Sequence, residues 1–202
     1  MHPRSKPLIG IHGRQLAGKT EYARMLAKHS GRPVKILPFA KPLKDIARSM
    51  GWDGKKDKRG RRLLRVLGTE AGRDYDPETW GRMWRGIAPT ELHAHLVVAD
   101  DLRFLNEFDA VRELGGVLVK IKRKAVEPRR WQRVLYFLLP FLQHRSEVPL
   151  PDDLFDLVIE NDGSLAQLEQ HAVKLVKMFD YYHPEAKTPL GIIRHPQHGD
   201  IA

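Results

Sequence analysis

The stretch "LIGIHGRQLAGKTEYARMLA", Leu8 to Ala27, opens apolar, turns through two glycines and closes on a lysine, a threonine and a helical pattern. Within it, Gly13-Arg14-Gln15-Leu16-Ala17-Gly18-Lys19-Thr20 is a complete G-x-x-x-x-G-K-[ST] loop. Gly13 permits a tight turn, and Gly18 lets backbone approach a ligand without a Cβ in the way. Successive N–H groups then face one concavity, and a helix beginning near Gly18 adds the positive end of its dipole. Gly13, Arg14, Gln15, Ala17, Gly18, Lys19 and Thr20 are therefore the expected phosphate cradle. Lys19 would reach the β- and γ-phosphates, and the Thr20 hydroxyl would face Mg2+. The flanks agree: Pro7 to Ile11 has the character of a buried strand, and Tyr22, Met25 and Leu26 follow at helical spacing.

Outward from this loop the pattern alternates. Val34 to Phe39 is a second expected strand, and Lys41 to Met50 a helix with Pro42 in its first turn. Gly51 to Gly60 is a polar, lysine-rich connection. A helical segment starts at about Leu63 and continues past Gly68 to Asp74, and Pro77 to Trp84 resumes a helix. Leu96 to Ala99 is a third strand, ending in Asp100-Asp101; Val117 to Ile121 is a fourth and Leu157 to Ile159 a fifth. Between them, Glu107 to Leu114 and Leu165 to about Phe179 are helical. The expected fold is α/β, with a mainly parallel five-stranded sheet and ligands at the carboxyl ends of the strands. Both the glycine loop and the aspartate pair fall there.

The chain has 202 residues, 42% of them hydrophobic, which suits one domain with a substantial core. It has no cysteine, so disulfide frameworks and thiolate metal sites are excluded. The N-terminus leads directly into the first strand without the pattern of a secretory signal. A cytoplasmic location is expected, in the host cytoplasm for a phage-encoded chain, with no membrane association. The net charge of +10 points to phosphorylated partners, and much of it lies in two runs, Lys55 to Arg65 and Lys120 to Arg133.

A phosphate loop needs a partner for magnesium, usually an Asp at the end of an apolar strand. Asp100 and Asp101 both qualify. Side chains alternate across a strand, so the two would not both face the nucleotide unless the strand ends there; one would serve Mg2+, and for either residue the other reading is a cap of the next helix.

The run Asp101-Leu102-Arg103-Phe104-Leu105-Asn106-Glu107, with Ala110-Val111-Arg112-Glu113-Leu114-Gly115-Gly116 after it, resembles the D-V-R-F-P-N-E…I-R-E-L-G-G signature of phage-type deoxynucleoside monophosphate kinases. Further blocks are similar, in order: Pro38-Phe39-Ala40-Lys41-Pro42-Leu43-Lys44, Leu67-Gly68-Thr69-Glu70-Ala71-Gly72-Arg73, His144-Arg145-Ser146-Glu147 and Ile159-Glu160-Asn161-Asp162-Gly163-Ser164. Leu105 stands where the family has proline. The resemblance runs from Leu8 to about Phe179. It implies the three-layer P-loop kinase fold and phosphoryl transfer from ATP, with Mg2+, to a deoxynucleoside monophosphate.

Arg73 and Arg103 are then expected to hold the acceptor phosphate, because the planar guanidinium fork suits phosphate oxygens. Phe39, Lys44 and Asp101 would line the acceptor site. Lys19, Arg73, Arg103 and Arg145 would act on the transferring group. Asn161, Asp162 and Gly163 would lie by the adenine, although Asp162 or Ser164 as a helix N-cap explains the same residues. The expected kinase domain spans 1–180. Its basic lid insertion, at about 123–147, carries Arg123, Lys124, Arg129, Arg130, Arg133, His144 and Arg145. A loose extension fills 181–202. Trp131, Leu135, Leu138 and Leu142 share one helical face, expected to pack in the lid or across a homodimer.

Two other readings remain. A P-loop kinase of another small acceptor, dephospho-coenzyme A or a sugar, would need a base for an alcohol, and Asp101 is the candidate. A nucleic-acid-dependent NTPase would suit the charge, but the chain shows no second module, and no stable nucleic-acid partner is expected.

Overall fold

The computed structural model describes residues 6–127 and 150–182. Its centre is β1 (Leu8–His12), every residue of which is buried. Strand β1 pairs in parallel with β3 (Leu96–Leu102) on one side and with β4 (Val117–Lys122) on the other. The edges are β2 (Val34–Ile36) beside β3 and β5 (Leu157–Glu160) beside β4, again parallel. The sheet order is β2-β3-β1-β4-β5. This is the expected α/β architecture with its five-stranded parallel sheet.

The period of two along each strand divides the core. Leu8, Val97 and Leu118 join one cluster, and Ile9, Val98 and Val119 join the other. On the second side lie α1 (Lys19–His29) and α6 (Leu165–Tyr182), contributing Tyr22, Leu26, Leu168, Leu175 and Phe179. On the first side lie α4 (Thr79–Leu92) and α5 (Leu105–Glu113), contributing Trp84, Ala88, Phe108 and Val111. Burial on both faces explains why the strands are apolar runs without alternation.

Between β2 and α4, α2 (Lys41–Ser49) and α3 (Lys58–Arg65) lead into a π-helical segment, Val66–Arg73. The sequence placed the start of α3 near Leu63. It begins earlier because the Asp57 carboxylate caps it, accepting from the Gly60 N–H at 2.7 Å. The wide π turns also differ from the plain helix expected. The Trp80 indole donates to the Gly68 carbonyl at 2.9 Å, and a Cβ on Gly72 would meet that same indole at 2.7 Å. The segment is thus pinned to α4 by a bond that a regular helix would have kept for itself.

Helix α6 continues to Tyr182, past the end expected near Phe179. Its N-terminus settles the capping alternatives: Ser164 Oγ accepts from the Gln167 N–H at 3.3 Å, and Gln167 Oε1 accepts from the Ser164 N–H at 2.9 Å. Residues 128–149, with most of the expected lid and the apolar face of Trp131 to Leu142, lie outside the described residues, as do residues 183–202.

Trp84 ties the sheet to the loop after β2. It is fully buried, stacks on Phe39 at 4.2 Å and donates its indole N–H to the Leu37 carbonyl at 3.0 Å. Trp84→Ala is expected to lower the unfolding free energy by about 3–5 kcal/mol, measured in urea. A loss below about 1 kcal/mol would contradict this central position.

Candidate active site

The segments at the carboxyl ends of β1, β2 and β3 meet at one cleft of about 760 Å³, whose wall includes Lys19, Thr20, Lys44, Arg73, Asp100, Asp101 and Arg103. The loop after β1 forms one end. Gly18 has φ 103°, and a Cβ there would strike Asn161 Nδ2 at 2.5 Å. Both facts demand glycine. A Cβ at Gly13 would meet the Ile121 carbonyl oxygen at 2.5 Å, so the loop leaves β1 tight against β4. Asn161 donates from Nδ2 to the Ala17 carbonyl at 2.9 Å and from its backbone N–H to Lys122. It therefore braces the loop from behind. Gly18 is the N-cap of α1 and makes no side-chain cap bond, so the helix begins directly at the loop. Lys19 lies over the loop, its ammonium donating to the Gly13 and Arg14 carbonyls at 2.6 and 2.8 Å.

Strand alternation separates the two aspartates. Asp100 turns to the loop, where its Oδ2 accepts from Thr20 Oγ1 at 3.1 Å. Asp101 turns the other way, accepting from the Phe39 and Ala40 N–H groups at 2.7 and 3.1 Å, one on each oxygen. Burial raises the Asp101 carboxyl above its usual range, and these amides and Lys44 act against that shift. The Thr20–Asp100 pair offers two hard oxygen donors at the phosphate loop, and the donor set fits magnesium. Among the described residues no cluster of three or more His, Cys, Asp or Glu can hold a metal. Asp101, grouped with Asp100 as a magnesium candidate, is engaged in anchoring the loop after β2.

The other end of the cleft holds Arg73 and Arg103. Arg73 closes the π segment. Its Nη2 donates to Glu107 Oε1 at 2.6 Å, and its guanidinium lies 3.8 Å from the Phe104 ring centroid. Arg103 is exposed at the end of β3 and lines the same cleft. Phe39 belongs to the wall, but its ring is almost wholly buried against Trp84. Lys44 faces the cleft from α2. Asp162 accepts from the Lys124 N–H at 2.7 Å, which holds its carboxyl below the usual range. Gly163 follows it, its Cα so close to Gln167 that a Cβ would collide with that side chain. Arg145 and His144 lie outside the described residues.

Two residues were missed in the sequence. His12 is buried behind the loop between Phe108 and Phe155, and its Nδ1–H donates to the Leu102 carbonyl at 3.0 Å. Desolvation takes its pKa down to about 4, with Lys120 and Lys19 adding to the shift, so the ring is neutral at pH 7. Glu107 carries the larger consequence. Its spacing from Ala110, Val111 and Leu114 places it on the apolar stripe of α5, the one signal in the sequence that could have exposed it. Burial, and after it the charge of Asp101, raise its pKa to about 7 from 4.5; Arg73 and the Arg103 and Phe104 amides oppose the shift.

A raised folded-state pKa means that the native state holds the proton more tightly than the unfolded chain. The associated stability is complete below pH 4.5 and is lost as pH rises through about 7. The gap in unfolding free energy between wild type and Glu107→Gln should therefore move against wild type by on the order of 3 kcal/mol between pH 4.5 and 8. Urea unfolding across that range measures it, and a constant gap would contradict the assignment.

No protein-family model matches the chain. A protein of Acanthamoeba polyphaga mimivirus, provisionally named a deoxynucleotide monophosphate kinase, is 28% identical over 199 residues, covering 84% of this chain and 95% of its own. Among solved structures, an APS kinase mutant of Mycobacterium tuberculosis is 14% identical with a TM-score of 0.46, covering 87% of this chain and 99% of that one. A provisionally named kinase of Chloroflexus aurantiacus is 16% identical with a TM-score of 0.46, covering 85% and 96%. The chain is thus similar, over most of its length, to a viral protein that carries as its provisional name that of the group its residue blocks resemble, the deoxynucleoside monophosphate kinases.

Proposed function

We propose that the chain transfers the γ-phosphoryl group of ATP to a deoxynucleoside monophosphate. The observation that carries this reading is the single cleft with a phosphate loop at one end and Arg73 with Arg103 at the other. A donor triphosphate and an acceptor monophosphate fit such a cleft facing each other, each phosphate against its own set of donors.

The attacking oxygen of a monophosphate is already anionic, so transfer needs positioning and charge neutralisation and no general base. The loop N–H groups and Lys19 would hold the β- and γ-phosphates. Thr20 and Asp100 would hold Mg2+, which when bound neutralises charge on the phosphate oxygens. Arg73 and Arg103 would fix the acceptor phosphate. Arg123, at the end of β4, donates to the Leu16 carbonyl at 3.4 Å, beside the loop; most of the basic lid expected at about 123–147 lies outside the described residues.

The bonding of Asp101 favours this reading over transfer to an alcohol. The base that a sugar or dephospho-coenzyme A would require has both oxygens engaged by the Phe39 and Ala40 amides. Among the described residues no helix is long and apolar enough to cross a membrane.

The deciding experiment is a transfer assay with ATP across the deoxynucleoside and ribonucleoside monophosphates, with dephospho-coenzyme A and sugars as further acceptors. Diphosphate formation from at least one deoxynucleoside monophosphate is expected; transfer to an alcohol alone would overturn the reading. Lys19→Ala should cost on the order of a hundredfold or more in turnover, with the thermal unfolding midpoint held, and near-normal turnover would remove the loop from the mechanism.

Arg73→Lys keeps the charge and loses the fork. It should raise the KM for the monophosphate, leave equilibrium ATP binding in place, and lower saturated transfer by up to about a hundredfold through misplacement of the acceptor. Weakened ATP binding with unchanged monophosphate kinetics would move Arg73 to the donor side.

A further inference from the structure

Two arginines are asked to hold one phosphate in line with another. An arginine side chain has several rotatable bonds and large rotamer entropy, so the fork acts with precision only when something immobilises it. The structure shows what touches it. Glu107 Oε1 accepts from Arg73 Nη2 at 2.6 Å, and Glu107 Oε2 accepts from the Arg103 and Phe104 N–H groups at 2.7 and 3.2 Å. The Phe104 ring, on the same short segment, carries the guanidinium at 3.8 Å. The guanidinium is held at one edge by Glu107 and on one face by Phe104.

We infer that Glu107 is the positioning residue of the acceptor end, one carboxylate that sets the Arg73 guanidinium directly and the Arg103 side chain through its backbone. The inference rests on the acceptor role proposed above for these arginines.

A cap for α5 is the simpler account of Glu107, and the geometry exceeds it. A cap needs one oxygen at a solvated helix end. The Glu107 side chain is 3% exposed, and its second oxygen faces an arginine 34 positions earlier in the chain. Enclosing a carboxylate beside a second one, Asp101, is unfavourable, and a buried ion pair of this kind adds little net stability. What the arrangement does supply is geometry. The π segment, the end of β3 and the start of α5 are joined at one carboxylate, and Asp101 joins the loop after β2 to the same strand end. The facing charged groups are Arg73 from the π segment and Asp101 from β3, with Lys44 from α2 acting on Asp101.

Glu107→Gln separates positioning from capping. The amide oxygen still accepts from the Arg103 and Phe104 N–H groups, while the amide NH2 meets the Arg73 donors and cannot hold them. The variant should raise the KM for the monophosphate and lower kcat, each by on the order of tenfold, with the KM for ATP changed by less than about twofold. In a cycle with Arg73→Ala, the double variant should be no worse than Arg73→Ala by more than about twofold, because both changes remove one interaction. Additive losses, or an equal loss in ATP binding, would overturn the inference.

A readout without substrate keeps the inference separate from the proposed activity. In protein with labelled arginine, the Arg73 guanidinium signal, assigned through Arg73→Lys, should report slow rotation about the Nε–Cζ bond in wild type and fast rotation in Glu107→Gln. Fast rotation in wild type would overturn the inference even if the variant failed to fold. A wild-type protein that transfers to no monophosphate would remove the acceptor reading and with it the functional part of the inference. The guanidinium signal would still decide whether Glu107 holds Arg73.

Discussion

At the end of β3, two successive carboxylates face opposite sides of the strand, and the site is organised by that divergence. Asp100 turns toward α1 and meets Thr20; Asp101 turns toward the loop after β2 and holds the Phe39 and Ala40 amides. Strand β3 lies between β1 and β2 in the sheet, so its end is the place from which one segment can reach both the loop after β1 and the loop after β2. A shift of one residue in the pairing of β3 with β1 would exchange the two carboxylates. The pairing runs from Leu8↔Val97 to Gly10↔Ala99 and then meets Leu102 at His12, so β3 carries one extra residue at the two aspartates, and this irregularity is part of what sets their directions.

Charge is distributed unevenly around this centre. The chain carries a net +10, yet the segment at the end of β3 and the start of α5 encloses Asp101 and Glu107. Both carboxylates have raised pKa values through burial, and both accept backbone N–H groups. They act as internal anchors, leaving Lys19 and the arginines to face the cleft. His12, kept neutral behind the loop, contributes packing and the bond to Leu102 that ties the end of β1 to β3. Cationic groups at the cleft and anionic groups behind them suit the binding of phosphates, since the Arg73 guanidinium is already held by Glu107 and Phe104.

The five strands, the loop from Gly13 to Thr20 and most helices were legible in the sequence because each rests on local information. Apolar runs between turn residues give strands, and a glycine loop before a helical stripe gives the cradle. What the sequence left open depends on contacts between distant residues. It offered Asp100 and Asp101 as equals; the choice of which meets Thr20 is made by the sheet. It gave an ordinary helix for Val66 to Arg73, because the Trp80 indole that occupies the Gly68 carbonyl lies 12 positions later. It placed Asn161 by the adenine and gave no sign that its side chain also supports Ala17, 144 positions away. Glu107 passed as one letter of a family signature, although a charged residue on the apolar stripe of α5 was visible. Arg145 and the apolar face from Trp131 to Leu142 fall outside the described residues.

The central claim is that donor and acceptor phosphates meet in one cleft, between the loop at Lys19 and the pair Arg73 and Arg103. Calorimetric binding of a bisubstrate analogue, adenosine joined to a deoxynucleoside through five phosphates, tests it most directly. Linking two ligands that occupy adjoining sites should give an affinity well above that of ATP or of the monophosphate alone, by on the order of a hundredfold, and both Lys19→Ala and Arg73→Ala should reduce it. An analogue that binds no more tightly than ATP, and that Arg73→Ala leaves unaffected, would contradict the account.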